Sequence, residues 1–239
     1  MVENIKWLRN LYARFDADVK RLHDIESTWL ACRKCPDGFC CSRGTYVFPQ
    51  NSNPFLIEDW WLMLEYVRDN FGASDKERLA RHIISKRTAC IFLFNNRCSV
   101  YSVRPWGSRI HPYTINVSAN NEFFPAGKIE LPSCPSLASA FGLKRDEKVI
   151  QTPAVIERPA DGSLVKVKLK KHRPVWVIDT SDYVKEYQEF ARNKEIIPAD
   201  EVERFLMLAE QAGGDYGVLL RVYLEQVLGM RQNLRLVPS

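Results

Sequence analysis

The ten residues CRKCPDGFCC, Cys32 to Cys41, put four thiols in one short stretch, and no other feature of the chain restricts its fold as tightly. Cys32 and Cys35 form a C-x2-C knuckle, a spacing that lets two thiolates reach one metal ion or neighbouring irons of one cluster. Pro36, Asp37 and Gly38 supply a turn that carries Cys40 and Cys41 back toward the same point. Adjacent cysteines diverge along most backbones. One tetrahedral ion therefore takes one of this pair, and the other serves a second iron, a second site or packing. Cys90, Cys98 and Cys134 bring the total to seven. That exceeds the four thiolates of a closed zinc site, and the surplus favours a cluster or two centres. A cysteine can also be a small buried hydrophobe, a reading that suits Cys90, which precedes Ile91, Phe92 and Leu93.

At 239 residues the chain is one large domain or two small ones, long enough to bury a core without disulfide staples. Met1 to Leu30 mixes charges through its apolar residues, unlike a signal peptide, and no apolar run reaches the length of a membrane span. These features imply a soluble, reducing, cytoplasmic setting, where a tight thiol cluster reads as metal-binding or redox-active. The net charge of +5 is spread along the chain and permits an acidic partner without demanding one.

Apolar residues at three- and four-residue spacing, Ile5, Leu8, Leu11, Tyr12, Phe15, Val19, Leu22 and Ile25, predict a long amphipathic helix leading into the thiol cluster. Thr45–Phe48 reads as a short strand and Asn51–Pro54 as a turn. Helices are expected over Phe55–Phe71 and Ser74–Arg87, separated by Gly72, with Ser74 as an N-cap. From Cys90 to Cys134, prolines, asparagines and a glycine break up the apolar runs, which predicts loops and short strands held by something besides regular packing. Val149–Glu157, Leu164–Lys170 and Pro174–Asp179 read as β-strands. Asp182–Asn193, Ala199–Gln211 and Tyr216–Leu228 read as helices. The expected fold is α+β: a metal-organised, irregular, cysteine-rich core with flanking helices and a small antiparallel sheet. Residues 1–145 form the cysteine-cluster part, and residues 146–239 a strand and helix part packed on it.

The thiol blocks also carry a resemblance. C-x2-C-x4-CC, then CIFL at Cys90, CSVYSVRP from Cys98 to Pro105, SRIHP from Ser108 to Pro112 and CPS from Cys134 resemble the YkgJ-type cysteine-cluster family of zinc- or iron-chelating proteins. Its pattern runs CxxCxxxCC, CPFL, CxIYxxRPxxCRxxPF, CPG. The likeness spans about Cys32 to Leu137 and keeps the order of the blocks. It implies a metal centre ligated by Cys32, Cys35, Cys40, Cys41, Cys98 and Cys134, with Cys90 and His111 as further candidates. The best-known relatives are flagellin lysine N-methylases, thought to carry an iron-sulfur cluster. This sequence departs from the pattern in having four residues between Cys35 and Cys40, Ser108 where a cysteine is usual, and CPS for CPG. His111, three residues beyond Ser108, offers an imidazole in place of the lost thiolate.

Around the centre, Arg104 and Arg109 could offset thiolate charge or hold a carboxylate, the alternative for each being a structural ion pair. Tyr101 fits the motif and reads as core packing. Lys166, Lys168 and Lys170 make one strand face basic, extended by Lys171, His172 and Arg173. No aromatic ladder for base stacking accompanies them. AGGDYG, Ala212 to Gly217, lacks a preceding strand and is a helix connection rather than a phosphate loop. No HExxH, nucleophile elbow, Walker pattern or S-adenosylmethionine site is present, so no catalytic residue is assigned. Three functions fit: an iron-sulfur or iron protein acting in redox or modification chemistry on a protein or peptide; a zinc-stapled interaction module; and, third, a nucleic-acid binder.

Overall fold

A computed structural model describes residues 2–30, 34, 56–84, 90–111, 113, 115–117, 122–125, 135–142, 152–157, 162–169 and 173–192. The expected strand at 45–48 and the expected helices at 199–211 and 216–228 lie outside the described residues.

The first helix, α1 (Val2–Ile25), runs about 36 Å at 1.5 Å per residue. Leu8, Leu11, Phe15 and Leu22 are fully buried along one side of it, and Tyr12 nearly so. Ile25 was expected to extend this stripe, but it is 52 % exposed. At about 100° per residue it points about 100° away from the stripe's centre.

Two further helices follow, α2 (Ile57–Asn70) and α3 (Ala73–Ile84). Phe71 leaves the helical conformation (φ −88°, ψ 129°), which ends α2. The carbonyl of Gly72 accepts the amide of Lys76 at 3.0 Å. Gly72 therefore holds the capping position, and Ser74, expected there, falls inside the first turn of α3.

A hairpin comes next, β1 (Leu93–Phe94) paired with β2 (Arg97–Cys98) in the register Leu93 to Cys98 and Phe94 to Arg97. Its two-residue loop, Asn95 and Asn96, has φ of 48° and 60°, the double left-handed geometry of a tight hairpin turn that asparagine tolerates better than most residues. A 3-10 turn over Tyr101–Val103 leads into a short helix, α4 (Trp106–Ile110).

The remaining elements are β3 (Ile115–Val117), β4 (Glu122–Pro125), α5 (Pro135–Phe141), β5 (Thr152–Glu157), β6 (Leu164–Leu169), β7 (Val175–Ile178) and α6 (Ser181–Ala191). The five strands β3 to β7 form one antiparallel meander in sequence order. This sheet takes strands from both sides of residue 145. In the outer pair, Val165 lies opposite Val177 and Val167 opposite Val175, so all four share a face, and all four are buried. They join Leu8, Leu11, Phe15 and Leu22 of α1, with Trp29, Trp106, Tyr113 and Phe141, in one hydrophobic cluster. Lys166 sits on the opposite face, half-buried, and pairs with Glu157 at 3.5 Å. The fold is α+β with a small antiparallel sheet, as expected; the cysteine-rich core itself falls largely outside the described residues.

Candidate metal centre

The segment between α1 and the first cysteines is tied down residue by residue. The Glu26 carboxylate is 8 % exposed. It accepts the Thr28 hydroxyl at 2.7 Å, the Arg173 guanidinium at 3.3 Å and the Trp176 amide at 3.5 Å. Trp29 donates its indole N–H to the carbonyl of Trp176 at 2.7 Å. Ser139 of α5 donates to the carbonyl of Thr28 at 2.9 Å, and Ser136 to that of Leu30 at 2.5 Å. Arg173 also donates to Thr28 Oγ1 and, at 2.7 Å, to the carbonyl of Ala140.

Leu30 precedes Cys32 by two residues, and Ser136 follows Cys134 by two. Two residues of extended chain reach about 7 Å. The Ser136–Leu30 hydrogen bond thus brings the chain leading to Cys32 together with the chain leaving Cys134.

His111 lies two residues before Tyr113 in the chain. It ends α4 and is 6 % exposed. Two residues on, Tyr113 is fully buried, lies 5.4 Å from the ring of Trp29, and sits with its hydroxyl 2.9 Å from His23 Nε2. His23 and Trp29 flank the C-terminal end of α1, so the end of that helix gathers Leu30, Tyr113 and Ser136.

Cys90 and Cys98 occupy a second place. Both are half-buried and outside any disulfide. Leu93 donates its amide to the carbonyl of Cys90 at 3.0 Å and pairs across the hairpin with Cys98, so both thiols belong to the open end of that hairpin. His82 of α3 holds the hairpin through Nδ1, which lies 2.9 Å from the carbonyl of Ile91. A carbonyl only accepts, so Nδ1 carries the proton. Sequence reading passed over His82 because it looks like any polar residue late in an amphipathic helix.

Arg104, 4 % exposed, donates to the carbonyls of Tyr101 at 2.7 Å, Ser108 at 3.3 Å and Arg109 at 3.5 Å, with its guanidinium carbon 3.8 Å from the centre of the Tyr101 ring. It ties the 3-10 turn to α4 through backbone carbonyls. Arg109 is fully buried, donates to the half-exposed Asp16 carboxylate and, at 2.6 Å, to the carbonyl of Ser102, and lies 4.1 Å over the Tyr12 ring. Ser108 is half-buried and has its carbonyl engaged by Arg104.

A buried carboxylate that sequence reading missed accepts the hydroxyl of Tyr12, the ring over which Arg109 lies. Asp59 of α2 is 1 % exposed. It accepts the hydroxyls of Tyr12 and, at 2.8 Å, Tyr187, and the amide of Trp106 at 3.3 Å. Burial raises the carboxyl of Asp59 above its ordinary value, while its hydrogen-bond donors pull the other way. Burial and the nearby Asp59 charge raise both phenols above the ordinary tyrosine value. The only sequence signal was a carboxylate directly before the apolar run from Trp60 to Leu64.

Cys32, Cys35, Cys40, Cys41 and Cys134 lie outside the described residues. Among the described residues, no three histidine, cysteine or acidic side chains meet at one metal-sized point. In chemistry, thiolates and an imidazole are donors that suit zinc or iron. Of the candidate donors, Cys90 and Cys98 lie at the hairpin and outside any disulfide, and the buried His111 ends α4. Among the described residues, no helix is long and apolar enough to cross a membrane.

A family model named CxxCxxCC, with the description "Putative zinc- or iron-chelating domain", matches residues 31–128. It spans four thiols of the first cluster, both hairpin thiols and His111, and ends before Cys134. No curated protein and no solved structure matches the chain.

Proposed function

Residues 31–128 belong to the CxxCxxCC family of zinc- or iron-chelating domains, and on that premise we propose that this protein is built around a cysteine-ligated iron-sulfur or iron centre. Cys32, Cys35, Cys40, Cys41, Cys98 and Cys134 are its ligands, with Cys90 and His111 completing the set. The family match supports metal binding in general. The observation that supports the fuller ligand set is the Ser136–Leu30 hydrogen bond, which ties the residue two before Cys32 to the residue two after Cys134, a cysteine outside the matched segment.

The surplus of thiols over a closed zinc site favours iron. Such a centre supplies one-electron chemistry when bound, and its substrate class is a protein or peptide. The chain's own residues set its surroundings. Glu26, Thr28 and Arg173 fix the segment that leads to Cys32, His82 fixes the hairpin that bears Cys90 and Cys98, and Arg104 fixes the turn after them.

One observation favours a second reading, a zinc staple in a protein-interaction module. Arg104 and Arg109 direct their donors to backbone carbonyls and to Asp16, which is how arginines brace a structural segment. Nucleic-acid binding is the third reading. It rests on the basic β6 face alone, where Lys166 already has Glu157 as an ion-pair partner.

Metal and acid-labile sulfide per chain, measured on protein produced and purified without oxygen, separate the readings. Iron with matching sulfide supports the cluster, and zinc without sulfide supports the staple. A chain that binds neither metal contradicts both.

A further inference from the structure

The chain is anchored firmly up to Thr180 and seated lightly after it. Asp179 donates its amide to the carbonyl of Ser163 at 2.7 Å, and Thr180 is fully buried. Helix α6 starts at the next residue, and none of its 11 residues is buried. Tyr183, Glu186, Tyr187 and Phe190, spaced by three and four, form the stripe that meets the body. Tyr183 donates its hydroxyl to Asp18 at 2.7 Å and Tyr187 to Asp59 at 2.8 Å. Glu186 pairs with the exposed Arg14, and Phe190 stacks on Trp7 at 4.0 Å. The partners on α1 fall in reverse order, Asp18, Arg14 and Trp7, so α6 lies antiparallel on that helix. Beneath it sit Phe15, fully buried, and Trp106, 4 % exposed. The Tyr183 ring meets Phe15 edge-on at 5.3 Å, and the Tyr187 ring stacks on Trp106 at 5.3 Å.

We propose that α6 is a latch: it swings out from a hinge after Thr180 and melts as a unit while the rest of the fold stays native, uncovering the Trp106 face and the Asp59 carboxylate. Helices in proteins draw most of their stability from tertiary packing, and one this short is marginal once detached. Segments with few buried contacts open locally at far less cost than the core. Helix α1 is the opposite case, with Leu8, Leu11, Phe15 and Leu22 fully buried. Opening also leaves the floor intact, because Asp59 keeps the Tyr12 hydroxyl and the Trp106 amide as donors. That floor is an indole face beside a carboxylate lacking one donor, at the start of α4. Helix α4 lies within the family segment, residues 31–128, whereas α6 lies outside it. The latch thus controls access to part of the family segment from beyond its end.

Hydrogen exchange followed by mass spectrometry on the full-length chain tests this, under conditions where the rate reports the opening equilibrium. Relative to the intrinsic rates of their amides, α6 should exchange at least about a hundredfold faster than residues 8–22 of α1. Leu79 is fully buried in α3, outside the latch. Leu79→Ala should speed exchange in α1 by about thirtyfold or more and leave α6 within about twofold of the parent, because α3 stays folded when only the latch opens. Tyr187→Phe removes one tie of the latch and should speed α6 by about fivefold. Should Leu79→Ala fail to fold, Leu79→Val gives the same separation with a smaller acceleration in α1. Exchange of α6 in step with α1, in the parent or in the Leu79 variant, overturns the inference. So does an α6 that has no protection or is indifferent to Tyr187→Phe, since no docked latch would then exist.

Discussion

Tyr187 of α6 donates its hydroxyl to Asp59 of α2 at 2.8 Å across 128 positions of sequence. The same carboxylate accepts Tyr12 of α1 and the amide of Trp106 that opens α4. Four helices thus share one buried acceptor group, and the short helix that follows the Arg-Pro of the cysteine motif is fixed by it.

Breaking this hub should be costly in proportion to what is left unpaired. Tyr187→Phe removes one donor and should cost about 1–2 kcal/mol. Asp59→Ala leaves two phenols and a buried amide without their acceptor and should cost about 3 kcal/mol or more. Chemical denaturation measures both. Equal small losses for the two variants would show that Asp59 is not the common partner.

The hub also sets a pH dependence. Tyr12 and Tyr187 hold their protons to higher pH in the folded chain than in the unfolded one, chiefly through burial and then through the Asp59 charge. Above the ordinary tyrosine value, near pH 10, the unfolded chain has lost protons that the native chain keeps. Stability therefore falls as pH rises, by about 1.4 kcal/mol per pH unit for each such tyrosine. Asp59, raised by burial, has the same sign in its own window: stability falls as pH climbs from the ordinary carboxylate value to the raised one. Denaturation midpoints from pH 8 to 11 should drop more steeply for the parent than for Tyr187→Phe. Parallel curves would contradict this account.

Asn96 occupies the second left-handed position of the hairpin loop, at φ 60°, where glycine carries no steric penalty. Asn96→Gly should raise stability by about 0.5 kcal/mol, visible as a small rise in melting temperature. A fall would mean that the Asn96 side chain is itself needed in the turn.

The arginines should differ sharply. Arg14 and Glu186 form an exposed pair, so Arg14→Gln should cost less than about 1 kcal/mol. Arg109 is fully buried between Asp16, the carbonyl of Ser102 and the Tyr12 ring. Arg109→Met should cost about 2–4 kcal/mol, read by the same denaturation experiment. Similar costs at both sites would mean that the buried interactions add nothing beyond those at the surface.

Regular periods were the legible part of the sequence. The 3.6-residue stripe of α1 and the alternation around Val165, Lys166 and Val167 marked elements that the structure contains, to within a few residues at their ends. Strands β3 and β4, with three and four residues, are too short for alternation to register, and their place in the sheet depends on β4 pairing with β5, distant in sequence. Ile25 matched the spacing but not the angle of the stripe. Asp59 was illegible for a different reason: a helix carboxylate reads as solvated until the tertiary fold brings two phenols onto it. Arg104 was read as an acid's or a thiolate's partner, and among the described residues its donors meet backbone carbonyls. Spacing alone cannot show which acceptors a buried guanidinium will meet. The thiol motif was legible as a family pattern, whereas the tie between Ser136 and Leu30, 106 positions apart, was not.

The most direct test of the metal centre is X-ray absorption at the metal edge of the full-length chain, isolated without oxygen and compared with Cys32→Ser and Cys134→Ser. The account predicts a first shell dominated by sulfur, at about 2.3 Å for zinc or iron, with a lower sulfur count in both variants. A shell of nitrogen and oxygen alone, or a sulfur count unchanged in Cys134→Ser, would contradict it.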